Sequence, residues 1–187
     1  MSKLFYVIGA SGAGKDTLMN YARTVINGSG TVIFVHRYIT RPAFEGNENH
    51  VSLSKEEFES RCNANLFALN WESHGNSYGI GIEINTWMEK GFDVVMNGSR
   101  EYLSIAMEKY PELIVVSIEA SPSVIHARLA ARGREDSDEI RDRIERTAKM
   151  SFDLSNAIKI QNDGAIEEAG EILVKIISLD IFQQRNN

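Results

Sequence analysis

The sequence predicts an α/β fold: a mostly parallel sheet with helices on both faces. Two observations lead there. Short apolar runs alternate with segments of helical periodicity from one end of the chain to the other, and strand-then-helix repetition is the signature of parallel pairing. The first apolar run also passes at once into glycines and then a helix. With 187 residues the chain suits one domain with a sizeable core.

Leu4 to Ile8 reads as a buried strand. A helix follows from Lys15 to Ile26, with Leu18, Met19, Ala22 and Ile26 on one face. Thr31 to Val35 is a second strand. Residues 36–53 are polar and read as irregular. Ser54-Lys55-Glu56-Glu57 is a capping box opening a helix to Cys62. Leu66 to Trp71 alternates like a strand. Gly75, Gly79 and Gly81 mark a turn-rich stretch before a short helix from Glu83 to Lys90. Phe92 to Met96 and Ile114 to Ile118 are core strands, each followed by a helix. The second of those helices starts at Ser121-Pro122, where proline's missing N–H costs nothing, and Gly133 ends it. A charged helix is expected over 137–150, a short strand over Ala157–Ile160 and a closing helix over Ile166–Ile181. The core is thus 1–35, 91–127 and 146–187, with an insert at 36–90 and a helical lid at 128–145.

The totals exclude several classes. Lys and Arg number 20 against 26 Asp and Glu, a net charge of −6. A nucleic-acid partner would need a basic face, so none is expected, whereas local arginines can still hold a small phosphate compound. Cys62 is the sole cysteine, which rules out an internal disulfide and fits a cytoplasmic setting. No apolar run approaches a membrane span or a signal segment. No Cys/His spacing suits a structural metal. His74 and His126 are expected to have no chemical role; His36 and His50 lie in the insert.

Chemistry starts at Gly9-Ala10-Ser11-Gly12-Ala13-Gly14-Lys15. The spacing is G-x-x-x-x-G-K, between a buried strand and a helix. Backbone N–H groups and the helix dipole there favour phosphate, and Lys15 adds a point charge for the β- and γ-phosphates. The expected ligand is ATP with Mg²⁺. Asp16 stands where Ser or Thr usually ligates that ion. Its carboxylate either binds Mg²⁺, with Thr17 nearby, or only complements the helix N-terminus.

Two arginine groups follow. Arg37 and Arg41 flank Tyr38-Ile39-Thr40 in the insert, where forked guanidiniums match phosphate geometry, and Tyr78 could donate a phenolic hydrogen bond. Arg128, Arg132, Arg134, Arg141 and Arg143 read as a lid that covers transferring charge. A solvated helical hairpin rich in Asp and Glu is the competing reading.

Together these features resemble the guanylate-kinase-type branch of the P-loop kinases. The resemblance rests on Gly9–Lys15, Thr40-Arg41, Tyr78-Gly79, the arginine lid and Asn162-Asp163. It implies that Arg41 and Tyr78 hold the acceptor's phosphate, that Arg132 and Arg143 act in the lid, and that Asn162 lies near the adenine. The departures are informative. Pro42-Ala43-Phe44-Glu45-Gly46 replaces the longer family segment, and His50 stands for a tyrosine. Asn97-Gly98-Ser99-Arg100 replaces the acidic residues that read guanine, removing acceptors and adding a cation. Glu72 matches a guanine-reading position and supports the alternative, a GMP-phosphorylating kinase.

The departures are similar to a narrower family, the ribose 1,5-bisphosphate phosphokinases of bacterial phosphonate breakdown. The matching strings include Gly12-Ala13-Gly14-Lys15-Asp16, His36-Arg37-Tyr38-Ile39-Thr40-Arg41, Glu48-Asn49-His50, Asn97-Gly98-Ser99-Arg100 and Arg132-Gly133-Arg134-Glu135. The resemblance implies ATP-dependent conversion of a sugar bisphosphate to 5-phosphoribosyl 1-diphosphate. Lys15, Arg128, Arg132, Arg134 and Arg143 would serve catalysis. Residues 9–17 and Asn162 would bind ATP. Arg37, Thr40, Arg41, His50, Glu72, Tyr78, Asn97, Ser99 and Arg100 would bind the acceptor. A non-catalytic interaction module of the same fold is disfavoured, because Lys15 and the lid arginines are intact.

Overall fold

The computed structural model describes residues 2–27, 30–42, 50–73, 75–132 and 154–184. Its elements run β1 (Leu4–Gly9), α1 (Lys15–Ile26), β2 (Val32–Phe34), β3 (Tyr38–Ile39), β4 (Val51–Ser52), α2 (Lys55–Asn63), β5 (Phe67–Ser73) and β6 (Asn76–Gly81). They continue with α3 (Glu83–Glu89), β7 (Asp93–Asn97), α4 (Leu103–Lys109), β8 (Ile114–Glu119), α5 (Pro122–Arg132), β9 (Ile158–Gln161) and α6 (Ile166–Gln184). A five-stranded sheet has the order β2-β7-β1-β8-β9, with β2 parallel to β7 and β8 parallel to β9. A second sheet has the order β4-β3-β6-β5. There β3 is parallel to β4 and antiparallel to β6, and β5 is antiparallel to β6.

The core strands behave as the apolar runs require. Leu4 to Ile8 are buried without alternation, as in a strand covered on both faces. On α1 the buried residues are Leu18, Met19, Ala22 and Ile26, the predicted face. The chain divides into two compact units. The first comprises Met1–Tyr6, Gly28–Gly98 and Tyr102–Ile114; the second comprises Val7–Asn27, Ser99–Glu101 and Val115–Asn187. In the second unit α1 meets α6 closely. A Cβ on Gly170 would strike the Tyr21 ring, and the Tyr21 hydroxyl donates to Glu171 at 2.7 Å.

Two expectations need correction. The stretch read as turn-rich, residues 75–81, contains strand β6. Gly75 does turn the chain, at φ +74° with open space around it, but Gly79 within β6 marks close approach: a Cβ there would lie 2.6 Å from the Phe67 ring, which is buried and stacked on Phe58. The stretch read as irregular, residues 36–53, contains β3 and β4. Each is two residues long, too short for any period to show in the sequence. The helix expected over 137–150 and its preceding stop at Gly133 lie outside the described residues.

The cap of α2 forms with one change of partner. The Glu57 N–H donates to Ser54 Oγ at 3.1 Å, as a capping box demands. The Glu57 carboxylate instead accepts from Arg61 at 2.8 Å. Glu56 takes the acidic role: its own backbone N–H, and then the Ser54 hydroxyl, hold its carboxyl below the usual range. Ser54→Ala is expected to cost about 1 kcal/mol, read as a fall in the denaturant midpoint at constant slope. Among the described residues no helix is long and apolar enough to cross a membrane.

Candidate active site

In the second unit, β1 ends at Gly9, where a Cβ would lie 2.8 Å from the Ile118 carbonyl oxygen of β8. The loop then turns through Gly12 (φ +86°) and Gly14 (φ +88°), conformations that glycine adopts without strain. Ala13 N–H donates to the Ala10 carbonyl at 3.1 Å, closing the turn. Gly14 precedes α1 and has no side chain to cap it. The helix's first N–H groups are thereby left to an incoming anion. Lys15 Nζ lies 3.3 Å from Asp16 Oδ1, with the lysine side chain 13% and the aspartate 41% exposed. Thr17 is exposed beside them. Among the described residues no group of three or more His, Cys, Asp or Glu could hold a metal by itself.

The loop is tied from two directions within this unit. Asn162 Nδ2 donates to the Ala13 carbonyl at 2.7 Å, and Arg128 Nη1 donates to the same oxygen at 3.2 Å. Asn162 is itself fixed by its backbone N–H, which donates to the Glu119 carbonyl at 2.7 Å. Asp163 accepts the Ser121 N–H at 2.7 Å and a Gln161 amide at 2.7 Å. These bonds, the Ser121 backbone first, hold the Asp163 carboxyl below its ordinary range. Arg100 is half-buried; burial lowers its pKa, opposed by Glu101. Ser99 precedes it at intermediate exposure.

The first unit gathers most of the expected acceptor residues on its four-stranded sheet. Trp71 and Tyr78 face each other across β5 and β6, stacked 5.6 Å apart with planes 6° from parallel. Tyr102 stacks on Trp71 at 5.6 Å. The Arg37 guanidinium lies over the Tyr78 ring at 4.8 Å and over Trp71 at 5.9 Å, which is cation–π geometry. Thr40 ties β3 to β6: its hydroxyl accepts the Ser77 N–H at 2.8 Å, and its own N–H donates to the Ser77 carbonyl at 3.1 Å. The Arg41 carbonyl contacts the buried His50 ring at 3.2 Å and accepts from Ser52 Oγ at 2.8 Å. His36 meets Tyr38 edge-on at 5.9 Å. Asn97 is buried at the end of β7.

Glu72 is set apart from this group. It is exposed and pairs with Ser77, one step out of phase with the Trp71–Tyr78 pair. Alternation along a strand sends it to the opposite face of the sheet. Arg132 ends α5, while Arg134 and Arg143 lie outside the described residues, as does most of the lid expected over 128–145. Burial raises the Cys62 thiol above its ordinary pKa, with Glu59 adding to it. That environment suits an unreactive thiol.

Sequence reasoning missed Trp71 and Tyr102. The signal was present in an aromatic seven residues before Tyr78, but the cross-strand pairing could be read only once β6 was known. It also did not foresee that Asn162 and Arg128 share one carbonyl of the phosphate loop.

The guanylate kinase family model matches residues 1–179. A ribose 1,5-bisphosphate phosphokinase PhnN of Desulfomicrobium baculatum is 49% identical over 177 residues, covering 95% of both chains. One of Thiobacillus denitrificans is 50% identical over 176 residues, covering 94% of this chain and 93% of that one. Among solved structures, a guanylate kinase from Anaplasma phagocytophilum superposes with a TM-score of 0.68 at 18% identity, over 96% of this chain and 87% of its own. That likeness establishes the fold, an α/β kinase fold with a mostly parallel sheet. The chain belongs to the guanylate kinase family, in the branch of these phosphokinases.

Proposed function

We propose that this chain transfers the γ-phosphoryl group of ATP to the 1-phosphate of ribose 1,5-bisphosphate, giving 5-phosphoribosyl 1-diphosphate and ADP. The observation that carries the reading is the near-full-length identity with chains named for that activity. The resemblance supports a place in phosphonate breakdown, and the lone Cys62 fits a cytoplasmic enzyme.

The chemistry asks for positioning and charge neutralisation, with no general base. The attacking atom is a phosphate oxygen, already deprotonated near neutral pH. A P–O bond forms at the acceptor as the bond to the β-phosphate oxygen breaks, and ADP leaves with that electron pair. Residues 9–14 offer N–H groups to the donor phosphates, and Lys15 places its charge on them. Mg²⁺ would neutralise phosphate charge when bound. The donor set fits it: with one carboxylate, Asp16, and the Thr17 hydroxyl, its other ligands would be phosphate oxygens and water, the coordination this ion prefers. Arg128, Arg132, Arg134 and Arg143 would cover charge on the transferred group, those at 134 and 143 by sequence resemblance alone. The insert, residues 36–90, would hold the acceptor. There Arg37, Arg41, His50 and Tyr78, with Asn97, Ser99 and Arg100 beyond it, would take the two phosphates and the sugar. Thr40 would act by fixing Arg41 against β6.

GMP is the rival acceptor, favoured by Glu72. Its place on the face opposite Tyr78 separates it from the phosphate-binding candidates. An ADP-release assay with each acceptor tests the choice. A kcat/KM at least 100-fold higher for ribose 1,5-bisphosphate is expected, since each unmet polar partner in a buried site costs about tenfold or more. Comparable or greater turnover of GMP would reverse the reading.

A further inference from the structure

We propose that Asn162 is a positioning residue of the phosphate loop, whose side-chain amide holds the Ala13–Gly14 peptide with its N–H turned toward the bound phosphates. The inference rests on the reading of this loop as the ATP-phosphate site. In a trans peptide the carbonyl and the following N–H point in opposite directions. The Ala13 carbonyl is drawn to Asn162 at 2.7 Å and Arg128 at 3.2 Å. The Gly14 N–H therefore points away from β9 and α5. Gly14 itself cannot enforce this. Glycine crosses between positive and negative φ at little cost, and a flipped peptide would aim its carbonyl dipole at an anion. The orientation must be imposed from outside the loop.

Asn162 is built for that task. Its side chain is 2% exposed and its backbone is pinned to Glu119. Its Oδ1 is buried and accepts no hydrogen bond among the described residues. Burying a carboxamide with one end unused is costly, so what the residue supplies comes through Nδ2. Exchanging the two ends of the amide would set oxygen against oxygen. A Cβ on Gly14 would collide with this same Nδ2, so the loop glycine and the amide are fitted to each other. Arg128 reaches the same oxygen over a longer distance and with more side-chain freedom to lose. An asparagine that read the adenine would aim its free groups at the base; here the one used donor is on the loop.

The test is calorimetric titration of wild type, Asn162→Ala and Asn162→Asp with ATP and with inorganic tripolyphosphate, which has no base. Both ligands are expected to weaken by a similar factor, about tenfold for Asn162→Ala. Asn162→Asp, which fills the space but can only repel the Ala13 carbonyl, is expected to be worse than Asn162→Ala. A packing role gives the reverse order, because aspartate keeps the volume and alanine does not. Loss of ATP binding with tripolyphosphate unaffected would mean that Asn162 meets the base and would overturn the inference. So would unchanged affinity for both ligands. If Asn162→Ala is too unstable to titrate, Asn162→Ser faces the same criterion. A wild type that binds neither ligand would instead defeat the nucleotide reading itself.

Discussion

Lys15→Ala is expected to lower phosphoryl transfer by about 10²–10³ while leaving the fold intact. The lysine side chain is 13% exposed and its carboxylate neighbour, Asp16, is 3.3 Å away. Removing the ammonium subtracts a cation from the donor phosphates and leaves the aspartate charge beside them. Both effects fall on the transition state, where charge is spread over the transferred group. The stability cost is small because the pair is part-exposed, where ion pairs contribute at most about 1 kcal/mol. Single-turnover transfer of labelled phosphoryl, read beside the thermal midpoint, separates the two. Undiminished transfer would remove the loop from the reaction.

Gly14→Ala is expected to have the second-largest effect. Its φ of +88° strains any residue with a Cβ, at about 1–2 kcal/mol. The new methyl would also displace Asn162 Nδ2 and press on Arg128 Nη1 at 3.4 Å. The Asn162 amide is buried and cannot swing aside freely. Strain and lost orientation should together weaken ATP by more than tenfold, measured by titration. Gly91→Ala is the matched control. Its φ is +87° but a Cβ there meets nothing within 4 Å, so it should lose stability without losing ATP affinity.

How far the sequence foretold this differs element by element. Helix α1 was legible to the residue, because a glycine loop fixes its start and four apolar positions fix its buried face. The core strands were legible because covered strands are apolar without interruption. Strand β6 was not. Its Gly79 admits the Phe67 ring from the neighbouring strand β5, a tertiary requirement that locally looks like a turn. Of the candidate site, the conformation of the glycine loop was legible, because Gly12 and Gly14 at fixed spacing admit its positive φ angles. The Arg37–Tyr78–Trp71–Tyr102 stack was not, because it depends on strand register. Arg128 and Asn162 were picked out as functional residues, yet their shared target, a backbone carbonyl, leaves no mark in the sequence.

The most direct measurement follows the phosphorus itself. Wild-type protein, Mg²⁺, γ-labelled ATP and ribose 1,5-bisphosphate are combined, and the products are resolved by phosphorus NMR and label position. The account predicts a C1 diphosphate carrying the label on its terminal phosphorus, with ADP formed in equal amount. Label appearing in GDP when GMP is supplied, with none on the sugar bisphosphate, would contradict it.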